Sequence, residues 1–145
     1  MLSDRRHATA DLPFLLGLAA FLVGHLCYLV GFLRHGVHPP FLLAGLLIVG
    51  GTAGLALPRV LGSVRARRDG TLFAAVAGYA AVVGVMAIAA VGTGAILTAA
   101  GGLLFLGSDT ALARDRFVAP VARGPLLVIV SYHLGQLLIV LGLLR

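Results

Sequence analysis

The chain contains no lysine and no glutamate, and it has a single cysteine. One cysteine excludes an intrachain disulfide. Cys27 lies within an apolar run and reads as a small packing residue. All positive charge comes from 11 arginines and all negative charge from 5 aspartates. This usage points to a GC-rich genome, and a bacterial cell membrane is the expected location. Only 11% of residues are charged, where a soluble domain has about a quarter. Sequence signatures of familiar enzymes are missing too. There is no G-x-S-x-G elbow, no H-E-x-x-H and no phosphate loop. His35 and His38, in "RHGVHPP", stand beside Pro39 and Pro40 and read as a turn. A metal site needs more ligands than these two supply, so neither a metal nor another cofactor is expected.

What is present is apolar. Hydrophobic residues make up 60% of the 145, and the mean hydropathy is +1.07. A soluble fold could not bury that much, so the solvent is lipid. The net charge of +6 could suggest nucleic acid as a partner, but the arginines fall in loops between apolar runs and form no basic face. No nucleic acid is expected.

The runs predict an all-α polytopic bundle of five transmembrane helices in one membrane-embedded domain over residues 1–145. They are Leu12–Leu33, Phe41–Leu61, Thr71–Val91, Ala95–Ala113 and Pro125–Leu144, each near the ~20 residues that cross a bilayer. The first is too long for a signal-peptide core and reads as a retained helix. Pro58 and Arg59 are expected to end the second early. "VGTGA", Val91 to Ala95, is uncharged, and Gly92 and Gly94 permit a tight turn between the third and fourth helices. Gly50 and Gly54 form a small-xxx-small pair. It is expected to serve packing within the monomer, with a homo-oligomer contact as the alternative.

Arginine placement predicts orientation. Arg5, Arg6, Arg59, Arg65, Arg67, Arg68, Arg114, Arg116 and Arg123 fall on one side, and Arg34 and Arg145 on the other. The positive-inside rule then puts the N-terminus in the cytoplasm and the C-terminus outside.

Three sets of polar residues interrupt the spans, where ionisable groups are costly. In "FLVGHLCYLVGF", Phe21, His25, Tyr28 and Phe32 share one helical stripe. A buried histidine bonded to a carbonyl or a tyrosine is the plain reading of His25. In "GGLLFLGSDTALARDRF" stand Ser108 and Asp109. Aspartate is a good N-cap, so Asp109 could start a short interfacial helix. Length argues otherwise. Leu72 to Leu106 is 35 residues, while two spans and a turn need about 42. The fourth helix should therefore run past Asp109 to Ala113, with Asp109 in its last turns. A carboxyl group there suits general acid catalysis. In "SYHLGQLLI", Tyr132 and Gln136 are four apart, and His133 and Gln136 three apart. These can be interhelical bonds that only hold the bundle. His133 lies about 12 Å along its helix from Pro125, at a height similar to Asp109, and the two could meet if the last two helices are adjacent.

These three segments, in this order, resemble the YhhN family of membrane proteins, which includes the lysoplasmalogenases. The family pattern has an F-x-x-G-H-x-x-Y-like helix, a G-x-x-L-F-x-x-S-D helix and a final Y-x-x-x-Q-x-L-I helix. The resemblance implies hydrolysis of the vinyl ether bond of a lysoplasmalogen, a membrane lysophospholipid, to a fatty aldehyde and a glycerophospho-base. A general acid protonates the vinyl carbon, water adds to the oxocarbenium ion, and the hemiacetal collapses. The transition state is like that of glycoside hydrolysis, where paired carboxylates act. Asp109 would be one of the pair. His25, Tyr28, His133 and Gln136 would orient it or the water, with Ser108 and Tyr132 beside them. Arg114, Arg116 and Arg123 lie where a lipid phosphate would rest, although their plain reading is as topology signals.

The family also carries helices before the G-H-x-x-Y helix, with a Gly-Asp motif near the end of one. Asp4 and Asp11 are not in that context, so the second carboxylate is missing. A misassigned start, a truncated inactive member and completion by another subunit are the three explanations. The alternative function is a non-catalytic membrane protein whose polar residues serve packing or small-solute binding.

Overall fold

The computed structural model describes residues 2–145, with residues 2–11 as backbone alone. The side chains of Asp4, Arg5, Arg6 and Asp11 lie outside the described residues. Five α-helices follow one another: α1 (Leu2–His35), α2 (Pro39–Ala66), α3 (Gly70–Gly92), α4 (Ile96–Phe117) and α5 (Gly124–Leu143). All five are long and apolar enough to cross a membrane. Among the described residues there is no strand.

Local chemistry explains the boundaries. Pro39 and Pro40 open α2, where a missing N–H is harmless. The backbone N–H of His38 donates to the Gly92 carbonyl at 2.8 Å, which ties the α1–α2 loop to the end of α3. Asp69 caps α3, its Oδ1 accepting from the Leu72 N–H at 3.0 Å. Gly94, at φ +72°, makes the α3–α4 turn, and the ring of Phe41 occupies the space a side chain there would need. Asp115 Oδ1 accepts from the Val121 N–H at 2.7 Å and holds the α4–α5 loop.

Pro58 does not end α2, which continues two turns to Ala66. The proline forfeits one backbone bond, to the Gly54 carbonyl. Val60 and Val64 compensate, because they bury against Leu72, Val76 and Phe117. Asp109 is likewise not a cap. It lies inside the continuous α4, as the length of the apolar run requires.

α3 is central. It packs against α1, α2 and α4, and α5 packs against α4. Glycines bring these backbones together. A side chain on Gly45 would meet the Ile88 carbonyl, one on Gly102 would meet Ala90, and one on Gly101 would meet the backbone of Gly135 and Ile139. Gly50 and Gly54 do none of this. A side chain on either would meet nothing within 4 Å, so the small-xxx-small pair faces away from the bundle. Cys27 is also exposed rather than packed. Two apolar cores result. One gathers Phe32, Met86, Ala90, Phe105 and Ile139. The other, toward the arginine-rich end, gathers Val60, Val64, Leu72, Val76 and Phe117.

Five crossings put the two chain ends on opposite sides. A periplasmic-type reporter fused after Arg145 is expected to be active outside the cytoplasm. Activity of a cytoplasmic reporter at that position would refute the orientation drawn from the arginines.

Candidate functional site

Between the two cores lies a polar layer built by three helices. α4 contributes Asp109, α1 contributes His25 and α3 contributes Tyr79. The Tyr79 hydroxyl donates to Asp109 Oδ2 at 3.1 Å. His25 Nε2 stands 3.5 Å from the same oxygen. Both side chains are withdrawn from the surface, His25 at 2% exposed and Asp109 at 15%. Asp109 Oδ1 has no partner among the described residues.

The backbone fixes the tautomer of His25. Its Nδ1 lies 2.6 Å from the Phe21 carbonyl oxygen. A carbonyl only accepts, so Nδ1 carries a proton and the neutral ring leaves a lone pair on Nε2. Nε2 makes no hydrogen bond among the described residues. The 3.5 Å approach to Asp109 is thus ion-pair distance, close enough to become a bond when either group shifts. Edge-on contacts with Phe105 at 5.2 Å and Tyr79 at 5.6 Å hold the imidazole ring. The plain expectation for His25, a carbonyl bond, is met at Nδ1. It leaves Nε2 for Asp109.

Other expected residues distribute differently. Tyr28, Tyr132 and Gln136 line one cleft beside His25, together with Phe21, Gly24 and Phe105. The Phe105 ring meets Tyr132 edge-on at 5.3 Å. Ser108 is buried and donates to the Val128 carbonyl at 3.1 Å, a strut between α4 and α5 rather than a partner of Asp109. His133 does not meet Asp109, although α4 and α5 are adjacent. It is exposed, with Nδ1 2.7 Å from its own-helix Ile129 carbonyl oxygen. α5 faces α4 through Gly135, Ile139 and Gly142. His133, two residues before Gly135, points about 200° around the helix from that face. His25 is the histidine that stands beside Asp109.

Tyr79 was not legible as a site residue in any motif, but the hairpin contained the signal. Tyr79 precedes Gly94 by the same number of residues as Asp109 follows it. In an antiparallel pair joined at Gly94 the two therefore sit at one height. All three tyrosines of the chain border this layer. Among the described residues, no second carboxyl approaches Asp109. Asp69 and Asp115 are both committed to backbone N–H groups.

On the side away from the His25 cleft, Asp109 and Tyr79 form part of the wall of a groove bordered by α1 to α4. Val49, Ala56, Val83, Leu106 and Phe117 make it apolar. Its two threonines, Thr52 and Thr110, spend their hydroxyls on carbonyls of their own helices. Asp109 is thus the ionisable group of an otherwise greasy slot.

Of the arginines expected near a lipid phosphate, Arg116 stacks over the Phe14 ring at 4.2 Å, and Arg123 precedes α5 with φ 57°. Arg114 alone of the three borders open space beside the groove, and Arg59 joins it there.

The human protein named lysoplasmalogenase TMEM86B is 31% identical over 132 residues, which is 91% of this chain and 54% of that protein. The chain therefore spans about half the length of the curated relative it matches. No solved structure matches. The family model described as the YhhN family covers residues 1–143, nearly the whole chain with all three polar segments, and this integral membrane protein belongs to that family.

Proposed function

We propose that the chain is a lysoplasmalogenase-like hydrolase that cleaves the vinyl ether bond of a lysophospholipid. One observation carries the reading: a carboxyl group with one oxygen anchored by Tyr79 and His25, and the other unengaged, in the wall of an apolar groove. An aliphatic tail suits the groove, and a proton donor is what a vinyl ether needs.

The proton account closes with one carboxyl group. Asp109, protonated, gives its proton to the outer vinyl carbon, and the positive charge spreads over the inner carbon and the ether oxygen. The carboxylate then takes a proton from water as the water oxygen bonds to the inner carbon, giving a hemiacetal. Asp109 next protonates the ether oxygen while the hemiacetal hydroxyl returns its proton to the carboxylate, which restores the acid. The C–O bond breaks, leaving a fatty aldehyde and a glycerophospho-base. Tyr79 donates to Oδ2 whenever the group is charged, which stabilises the ion inside the span. His25 packs against the same oxygen at 3.5 Å and so orients the group, which leaves Oδ1 to carry the transferable proton. Both are positioning residues. A second carboxylate is not required by this stoichiometry, although glycoside hydrolysis uses two.

Purified protein is expected to release fatty aldehyde from a 1-alkenyl lysophospholipid in detergent micelles. No release from a range of alkenyl lysolipids, by protein shown to be folded, would overturn the proposal in favour of a packing or solute-binding role.

A further inference from the structure

The groove does not end at Asp109. Past Thr52, Ala56, Val60 and Thr110 it opens into a wider vestibule between α2 and α4. Two charged side chains line this vestibule, Arg59 of α2 and Arg114 of α4. Neither has an acidic partner among the described residues. A long cationic side chain near the end of a span ordinarily extends toward the interface. Arg59 does the reverse. Its Nη1 donates to the Leu55 carbonyl of its own helix at 2.7 Å, one turn deeper along the span. This holds the guanidinium over the vestibule, with most of its five N–H groups uncommitted.

We infer that Arg59 and Arg114 form a phosphate subsite, and that the occupant of groove and vestibule together is a single-chain lysophospholipid. The inference rests on the hydrolase reading for the position of the reacting bond. Two guanidinium groups offer one phosphodiester charge of the opposite sign and N–H donors enough for both of its non-bridging oxygens. Spacing agrees as well. Arg114 lies five residues beyond Asp109 on the same helix, a rise of about 7.5 Å along the axis and a turn of about 140° that carries it from the groove wall to the vestibule wall. In a 1-alkenyl glycerophospholipid, six bonds separate the inner vinyl carbon from phosphorus. Six backbone bonds, those of two extended residues, span about 7 Å. Polarity fixes the direction. Beyond Asp109 the groove continues between Val49, Val83 and Leu106, toward mid-span, while the vestibule opens toward the arginine-rich end. A lipid seated this way has its head and tail where the adjoining leaflet would have them. Arg116 is excluded from this role by its stacking on Phe14.

The test is equilibrium binding to the full chain in micelles, with probes that cannot be hydrolysed. A 1-O-alkyl lysophosphocholine carries tail and phosphate, the corresponding alkylglycerol carries the tail alone, and glycerophosphocholine carries the phosphate alone. The wild-type chain is expected to bind the first about 100-fold more tightly than either of the others. Arg59→Gln and Arg114→Gln should each weaken the first about tenfold, one charge-assisted contact apiece, and leave the alkylglycerol unchanged. Equal binding of alkyl lysophosphocholine and alkylglycerol would overturn the subsite, as would losses shared by both in the variants. Glycerophosphocholine binding as well as the full lipid would overturn the lysolipid as occupant. No probe has a vinyl ether to break, so the result is separate from the hydrolase reading. Selective binding without aldehyde release from alkenyl substrates would keep the subsite and retire the chemistry.

Discussion

Replacing Asp109 with asparagine is expected to lower aldehyde release by about 10²- to 10⁴-fold, the range for removal of a general acid–base group. The exchange is nearly isosteric. An asparagine carbonyl placed at the Oδ2 position still accepts from Tyr79, so the layer between the two cores should keep its packing. What is lost is the transferable proton, because an amide neither donates one to carbon nor recovers one from water. The comparison that sharpens this is His25→Gln. If His25 works by orienting Asp109, its replacement lowers the rate roughly tenfold on its own and adds little once Asp109 is already asparagine. Full aldehyde release by Asp109→Asn would remove Asp109 from the mechanism. A variant that changes thermal stability, with no hydrolysis in the parent, would instead mark the layer as packing.

The largest stability effect is expected at Gly101. A side chain there would sit 2.7 Å from the Gly135 carbonyl oxygen and 2.9 Å from the Ile139 backbone nitrogen. Neither can rotate away, because both belong to helix backbone, so α4 and α5 would have to separate. Overpacking of this kind costs about 3 kcal/mol or more, and Gly101→Val should lower the melting temperature in detergent by roughly 10 °C. Gly50→Val is the matched control. Its added side chain meets nothing, and its effect on monomer stability should stay within about 0.5 kcal/mol. Equal melting temperatures for the two variants would contradict the close α4–α5 contact.

The contrast between these glycines shows where a single sequence stops being readable. Gly50 and Gly54 have the spacing of a contact pair, whereas Gly101 and Gly135 lie on different helices and have no spacing to notice. Helix number was legible because about 20 apolar residues cross a bilayer and arginines punctuate them. Pro58 misled because its local cost was outweighed by Val60 and Val64, whose burial depends on α3. His25 and Asp109 stood out as ionisable groups in lipid-soluble runs. His133 stood out equally, and only the rotation of α5 about its axis distinguishes it from them. Rotation is set by the Gly135–Gly101 contact, which no local pattern announces. Arg59 read as a helix terminator, and its neighbours Arg65 and Arg67 as topology signals. Nothing in the run of charges separates the one that turns back along its helix toward mid-span.

The equal count of residues on either side of Gly94 has a mechanical consequence. The loop at Gly94 acts as a ruler for a site some fifteen residues away along each helix, about 22 Å at the helical rise. Adding one residue to that loop would leave every site side chain in place chemically. It would also force α4 either to slide by about 1.5 Å or to turn by about 100° relative to α3. Tyr79 and Asp109 would then no longer share a height. Register between them is thus fixed at the opposite membrane surface, in a segment without a single charged residue.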